Sequence, residues 1–149
     1  MTQVPENTDP ALWLRVSESL ARQGLMSHWG AQLRQVALGR VEISLPYSEK
    51  VTQQQGGFHG GAIGALADIC AGYAALTVAE PGLEVTTIEY KINFLAAFQG
   101  GELMGRGEVI RAGRRVIVAA ARIVQVDEQG RESDCAMMQA TIAPIPKIV

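Results

Sequence analysis

The chain has few of the residues from which metal, redox or phosphate chemistry is built. Histidine occurs twice in 149 residues, as His28 and His59, and cysteine twice, as Cys70 and Cys135. The two cysteines lie far apart with no C-x-x-C spacing, which argues against a metal site or a dithiol redox centre. Both stand among apolar neighbours, so reduced, buried thiols are expected. Also missing are a G-x-S-x-G nucleophile elbow, a G-x-x-x-x-G-K-[ST] phosphate loop, a G-x-G-x-x-G fingerprint and an H-E-x-x-H pair. Thirteen basic and fifteen acidic side chains leave a net charge of −2, too little field to gather nucleic acid or an anionic membrane. The first ten residues are polar and carry no basic-then-apolar leader pattern. The expectation is one cytoplasmic domain with no metal or organic cofactor and no nucleic-acid or membrane partner.

What the chain does have is a long apolar run with one charge in its middle. His59-Gly60-Gly61 opens it, Ala62 to Ala67 follows, then Asp68, then Ile69 to Leu76 and on to Ala79. A helix that is greasy all round is either a core helix or a membrane span. The run is long enough to span a bilayer, at about 20 residues. A central Asp would cost a span about 2.5–3.5 kcal/mol, and Gly and Ala supply little lipophilicity against it. No Lys/Arg cluster flanks the run to orient it. A buried core helix is therefore expected, and its carboxylate needs a reason.

The rest of the chain reads as a short helix and a set of strands. Asp9-Pro10 has an N-cap acceptor followed by a first-turn proline; Leu12, Val16 and Leu20 keep helical spacing, and Gly24 is a stop. Residues 1–29 thus form a helical extension on a larger body, with Trp13 and Trp29 as core contacts. Gln32 to Arg40 and Arg40 to Pro46 are strand-like, the second alternating Val41, Ile43 and Leu45 with polar residues. Val51 to Phe58 is a loop into the central helix, which Glu80-Pro81-Gly82 ends. Val85 to Phe98 reads as strand, with Ile88, Tyr90, Ile92 and Phe94 on the core face and Thr87, Glu89, Lys91 and Asn93 opposite. Gly100-Gly101 is then a hairpin turn to Glu102–Arg111, followed by strands Arg115–Val126 and Asp134–Ile145. Consecutive strands joined by tight turns predict an antiparallel meander, and the whole an α+β fold: a long antiparallel sheet wrapped around one buried helix.

Glycines at a buried helix N-terminus let the backbone approach a ligand, and the free N–H groups there are oriented donors at the positive end of the dipole. Aimed at a carbonyl, they would stabilise the oxyanion of acyl transfer. Asp68 could then act as nucleophile or as general base for water. The alternatives are packing alone for the glycines and a bond to a neighbouring strand's backbone for Asp68. Geometry adds a constraint. Eight residues of helix separate Gly60 and Asp68 by about 12 Å, so one carbonyl cannot touch both within a chain. If both act, two helices must present them across a two-fold axis.

These residues carry a family resemblance. Gln53-x-x-Gly56-x-x-His59-Gly60-Gly61 followed by Asp68, the strand Thr87-Ile88-Glu89-Tyr90-Lys91-Ile92-Asn93-Phe94-Leu95 and the turn Gly113-Arg114-Arg115 resemble the hotdog-fold acyl-CoA thioesterases of the PaaI-like group. The resemblance spans about residues 30–143. It implies hydrolysis of an acyl-CoA thioester to acid and CoA, in a homodimer or a homotetramer of paired dimers. It places Gly60 as oxyanion donor with Gly61 beside it, Asp68 from the facing subunit as nucleophile or base, and His59 at the family's histidine position. Gln53 would orient carbonyl or water, and Thr87, with Thr86 as rival, would hold the water. Ala97 stands where the family often has proline. Arg111, Arg114 and Arg115 cluster at a turn and would meet CoA phosphates. A non-catalytic acyl-CoA-binding module and a hotdog-type hydratase are the competing readings.

Overall fold

A computed structural model describes residues 3–148. Helix α1 spans Pro10–Ala21, and the Asp9 carboxylate accepts from the Ala11 N–H at 2.9 Å, the cap expected from Asp-Pro. Its inner face buries Trp13, Val16 and Leu20, each worth about 1.5–3 kcal/mol against exposure. A six-residue helix the sequence did not signal, α2 (Gly24–Trp29), follows directly. It is too short for periodicity to show.

Strands β1 (Gln32–Ala37) and β2 (Arg40–Pro46) form a hairpin whose turn needs Gly39 at φ 76°. Helix α3 (Gly60–Val78) comes next, then β3 (Leu83–Phe94), β4 (Glu102–Ala112), β5 (Ile117–Val126) and β6 (Glu132–Pro146). All six strands make one antiparallel sheet in the order β1-β2-β4-β5-β6-β3.

That order corrects the expected run of hairpins. Only β4-β5-β6 is a meander. β3 stops at Phe94, not Phe98, and pairs with β6; residues 95–101 then carry the chain across to β4, which pairs with β2. Gly100-Gly101 therefore ends a crossover, not a hairpin. Glycine pairs mark turns well, but they do not say which strands the turn joins.

The sheet wraps α3, which touches β2 through β6. By length and hydropathy α3 could cross a membrane, yet 67% of its apolar stretch is buried by its own chain. Leu66, Ala67, Cys70, Ala71, Ala74 and Ala75 have no solvent exposure. The helix rides closest over β4: a Cβ on Gly107 would stand 2.0 Å from the Cys70 carbonyl oxygen. At the far end the Arg15 guanidinium of α1 donates to the carbonyls of Leu76 (3.0 Å), Ala79 (3.1 Å) and Leu83 (2.8 Å). A cation is thereby set on carbonyls at and just beyond the negative end of the dipole, and α1 is clamped alongside α3.

Candidate active site

Asp68 sits half-buried midway along α3 and accepts a hydrogen bond from Thr87 Oγ1 at 2.7 Å. Thr87 can reach it because β3 does not alternate evenly. The β3–β6 register slips between Thr87 and Glu89, leaving Ile88 as an extra residue. Thr87, Tyr90, Ile92 and Phe94 accordingly lie opposite Ile142, Ala140, Met138 and Ala136, all buried. The expected faces are corrected in one place: Ile88 is 58% exposed, and Thr87 shares the helix-facing side with Tyr90. Strict period-two counting misses a bulge.

β3 runs antiparallel to α3, and three contacts give the levels. The Phe94 ring lies 3.4 Å from where a Cβ would stand on Gly60, the Tyr90 hydroxyl 3.6 Å from the same point on Gly64, and Thr87 on Asp68. Gly60 and Asp68 are thus two turns apart on one helix, facing different parts of one strand. At the N-terminus, His59 caps α3: its Nδ1 accepts the Gly61 N–H at 2.7 Å, while the Ala62 and Ile63 N–H groups donate to the His59 carbonyl. This geometry requires His59 Nδ1 to be unprotonated. The Gly60 N–H is left without an acceptor among the described residues.

Gln53 is half-buried in the loop before the helix, where its Oε1 accepts the Gln55 N–H. The loop is braced by the Phe58 N–H on the Phe98 carbonyl (2.9 Å) and the His59 N–H on the Val51 carbonyl (2.7 Å). Arg111, Arg114 and Arg115 are exposed at the β4–β5 turn, where Arg114 lines a hollow with Val78 and Ala79 at the other end of α3. Within one chain, then, Asp68 and Thr87 come together, while Gly60, Gly61, His59 and Gln53 form a second group and the arginines a third.

Residues 55–131, more than half of the chain, match the family described as the thioesterase superfamily. The chain belongs to the thioesterase superfamily. Among solved structures it is similar to a thioesterase family protein from Silicibacter pomeroyi, at 35% identity and TM-score 0.87, covering 91% of this chain and 99% of that one. Its wrapped helix is the hotdog fold of these proteins. Two curated relatives are a putative esterase of Saccharolobus solfataricus and a 1,4-dihydroxy-2-naphthoyl-CoA hydrolase of Listeria monocytogenes. The first is 39% identical over 60% of this chain and 63% of that protein, so the match spans less than two thirds of its length. The second is 31% identical over 71% of this chain and 86% of that one.

The superfamily match stops short of α1 and α2, yet the end of α1 and the residue before α2 border the Asp68 cleft, a trough of about 390 Å³. Ser19 at the end of α1 and Gln23 before α2 line it, facing Asp68, Gly72 and Tyr73 from α3 and Glu84 from β3. Gln23 Nε2 donates to the Tyr73 hydroxyl at 2.7 Å, and Ser19 Oγ lies 3.1 Å from it. Burial pushes the Tyr73 hydroxyl above its ordinary pKa, against the opposing pull of these two hydrogen bonds, so it keeps its proton at neutral pH. Sequence reasoning did not find these residues. Gly72 could have been found, since it stands four residues after Asp68 on the same helix face. Ser19 and Gln23 carry no local sign; only the docking of α1 brings them there.

Proposed function

We propose that this protein hydrolyses acyl-CoA thioesters to a free carboxylic acid and CoA, at a site built from two protomers. The observation that carries the reading is the Asp68 carboxylate, open to a cleft and held at one oxygen by Thr87, on the same helix whose first amide has no acceptor among the described residues. In the reaction, Asp68 takes a proton from water as the oxygen attacks the thioester carbon, or attacks that carbon itself to give an anhydride that water then opens. The oxyanion forms against the Gly60 N–H of the partner subunit, where the helix dipole favours negative charge. Collapse breaks the C–S bond, and the thiolate leaves to be protonated as CoA. Gln53 and His59, beside that amide, orient the carbonyl or water, and Arg111, Arg114 and Arg115 meet CoA phosphates.

The pairing follows from β3. It is an edge strand of twelve residues with a free side and exposed apolar groups: Ile88, Tyr90, Phe94 and the adjoining Leu95. An edge this long and apolar invites a second copy. From Phe94 to the bulge at Thr87–Ile88 the middle rung is Lys91. A two-fold axis through Lys91 sets each Phe94 level against Thr87 of the partner subunit, and so each Gly60 level against Asp68 of the partner subunit. Inward residues also stay opposite inward ones, Tyr90 against Ile92 of the partner subunit. The chain acts as one domain, its first 29 residues an extension of that domain. It acts in the cytoplasm as a dimer or a tetramer of such dimers, without metal or organic cofactor.

The test is thiol release from a panel of acyl-CoA esters. Asp68→Asn should lower turnover by about 10²–10⁴ while leaving a folded oligomer. Full turnover in that variant would reject the role of Asp68. Ester binding without thiol release would favour a binding module, and hydration of an enoyl ester would favour a hydratase.

A further inference from the structure

The trough beside Asp68 joins the superfamily's helix to the end of the chain's N-terminal helix, and its far wall is polar. Resting on the thioesterase reading above, we propose that Ser19, Gln23 and Tyr73 bind the distal end of the acyl group, and that they select short acyl chains ending in a neutral hydrogen-bonding group such as a hydroxyl.

The argument is one of shape, satisfaction and charge. From Asp68 past Gly72 to Tyr73 the trough rises along α3 for about 7.5 Å, and its floor at Gly72 is bare. A Cβ built there meets nothing within 4 Å. Gly72 is helical with an ordinary φ, so the backbone does not require glycine; an alanine would favour the helix by about 1 kcal/mol. The missing side chain leaves room in the cleft. At the end of that room, the Tyr73 hydroxyl accepts from Gln23 Nε2 and shares one proton with Ser19. Whichever of the two hydroxyls donates to the other, one hydroxyl proton is unused, and Gln23 Oε1 has no partner among the described residues. A donor and an acceptor side by side fit a hydroxyl, which is both. An aliphatic terminus would leave them unpaired, and a long chain would run into the clamped α1. Asp68 and Glu84 line the trough against one nearby cation, Arg22, that acts on the Tyr73 end, so a terminal carboxylate meets a net negative surround.

The experiment compares 6-hydroxyhexanoyl-, hexanoyl-, adipyl- and decanoyl-CoA in the thiol-release assay, with calorimetric binding of the corresponding free acids as a readout that does not need hydrolysis. We expect a preference of roughly three- to tenfold in kcat/KM and in affinity for the hydroxylated chain over hexanoyl, with adipyl and decanoyl below both. Tyr73→Phe and Gln23→Leu should each remove that preference, so that each variant uses the hydroxylated and plain six-carbon chains equally. Gly72→Val should fold and lose six-carbon substrates while keeping acetyl-CoA. Equal use of hydroxylated and plain chains, or decanoyl as the best substrate, overturns the proposal with hydrolysis itself intact. Absence of thiol release from every ester rejects the thioesterase reading alone, and the acid affinities then decide the pocket assignment by the same ranking.

Discussion

Lys91→Cys is the sharpest test of the shared site, because a residue on a two-fold axis faces its own copy. If β3 strands pair about Lys91, the two residue-91 Cα atoms stand about 4.5–5.5 Å apart, as opposite residues do in an antiparallel ladder. A disulfide accepts Cα separations of about 4.4–6.8 Å. The next register that keeps inward side chains inward slides one strand by two residues, about 6.8 Å, and the same pair then stands about 8 Å apart. The crosslink is therefore diagnostic of one register. The native lysines can tolerate the arrangement: each Nζ turns to Asn93 Oδ1 of its own strand, and Glu89 of the partner subunit lies on the diagonal. Cys70 and Cys135 are fully buried and supply no background. Under mild oxidation a non-reducing gel should show Lys91→Cys as a covalent dimer. Glu89→Cys, whose copies would lie about 14 Å apart along the ladder, should remain monomeric on that gel. A folded Lys91→Cys protein that fails to crosslink, or an efficient Glu89→Cys crosslink, would refute the placement of Gly60 against Asp68.

Thr87→Val keeps the shape and deletes the donor to Asp68; losing one hydrogen bond to a charged group should lower kcat roughly ten- to a hundredfold, with Thr87→Ser restoring most of it. Gly107→Ala drives a Cβ into the Cys70 carbonyl and should cost about 3 kcal/mol or more in urea unfolding; an unchanged midpoint would mean that α3 rides further from β4. Burial pushes the Cys135 thiol up to about 11 and the Cys70 thiol higher still. Because a raised pKa keeps the neutral thiol until pH approaches that value, only about one Cys135 in a thousand is thiolate at pH 8. Iodoacetamide should then label neither cysteine in the native protein and both in urea, which mass spectrometry reads directly.

How much of this could be seen in the sequence depended on how local the cause was. The Asp9-Pro10 cap, the all-round apolar helix and the turns between β4, β5 and β6 rest on neighbours in the chain, and each lies where the residues put it. The partner of β3 does not: nothing in Leu83–Phe94 says that it joins β6 at the sheet's edge, and the glycines at 100 and 101 read as a hairpin when they end a crossover. The same holds for Ser19 and Gln23, which reach the Asp68 cleft through the docking of α1, held by its buried apolar face and by Arg15 on the end of the helix.

The bulge at Ile88 is the case where a missed detail has chemical consequences. Without it, even alternation would place Thr87 on the face opposite Tyr90 and Phe94, and Asp68 would lose its donor. Without it, too, the count from Phe94 to Thr87 would be odd, and no two-fold register could set Gly60 level with Asp68 of the partner subunit while keeping Tyr90 and Ile92 inward. Holding Ile88 out of the alternation thus both anchors the carboxylate and brings the two halves of the proposed site into line. A deletion of Ile88 tests that claim on register alone: Glu89 then follows Thr87 directly and Thr87 stays opposite Ile142, so the variant should keep Thr87 on Asp68 and keep hydrolysis near the unaltered level. A folded deletion variant with turnover as low as Asp68→Asn would refute it, because the site would then need the irregular strand itself and not the register that the bulge preserves.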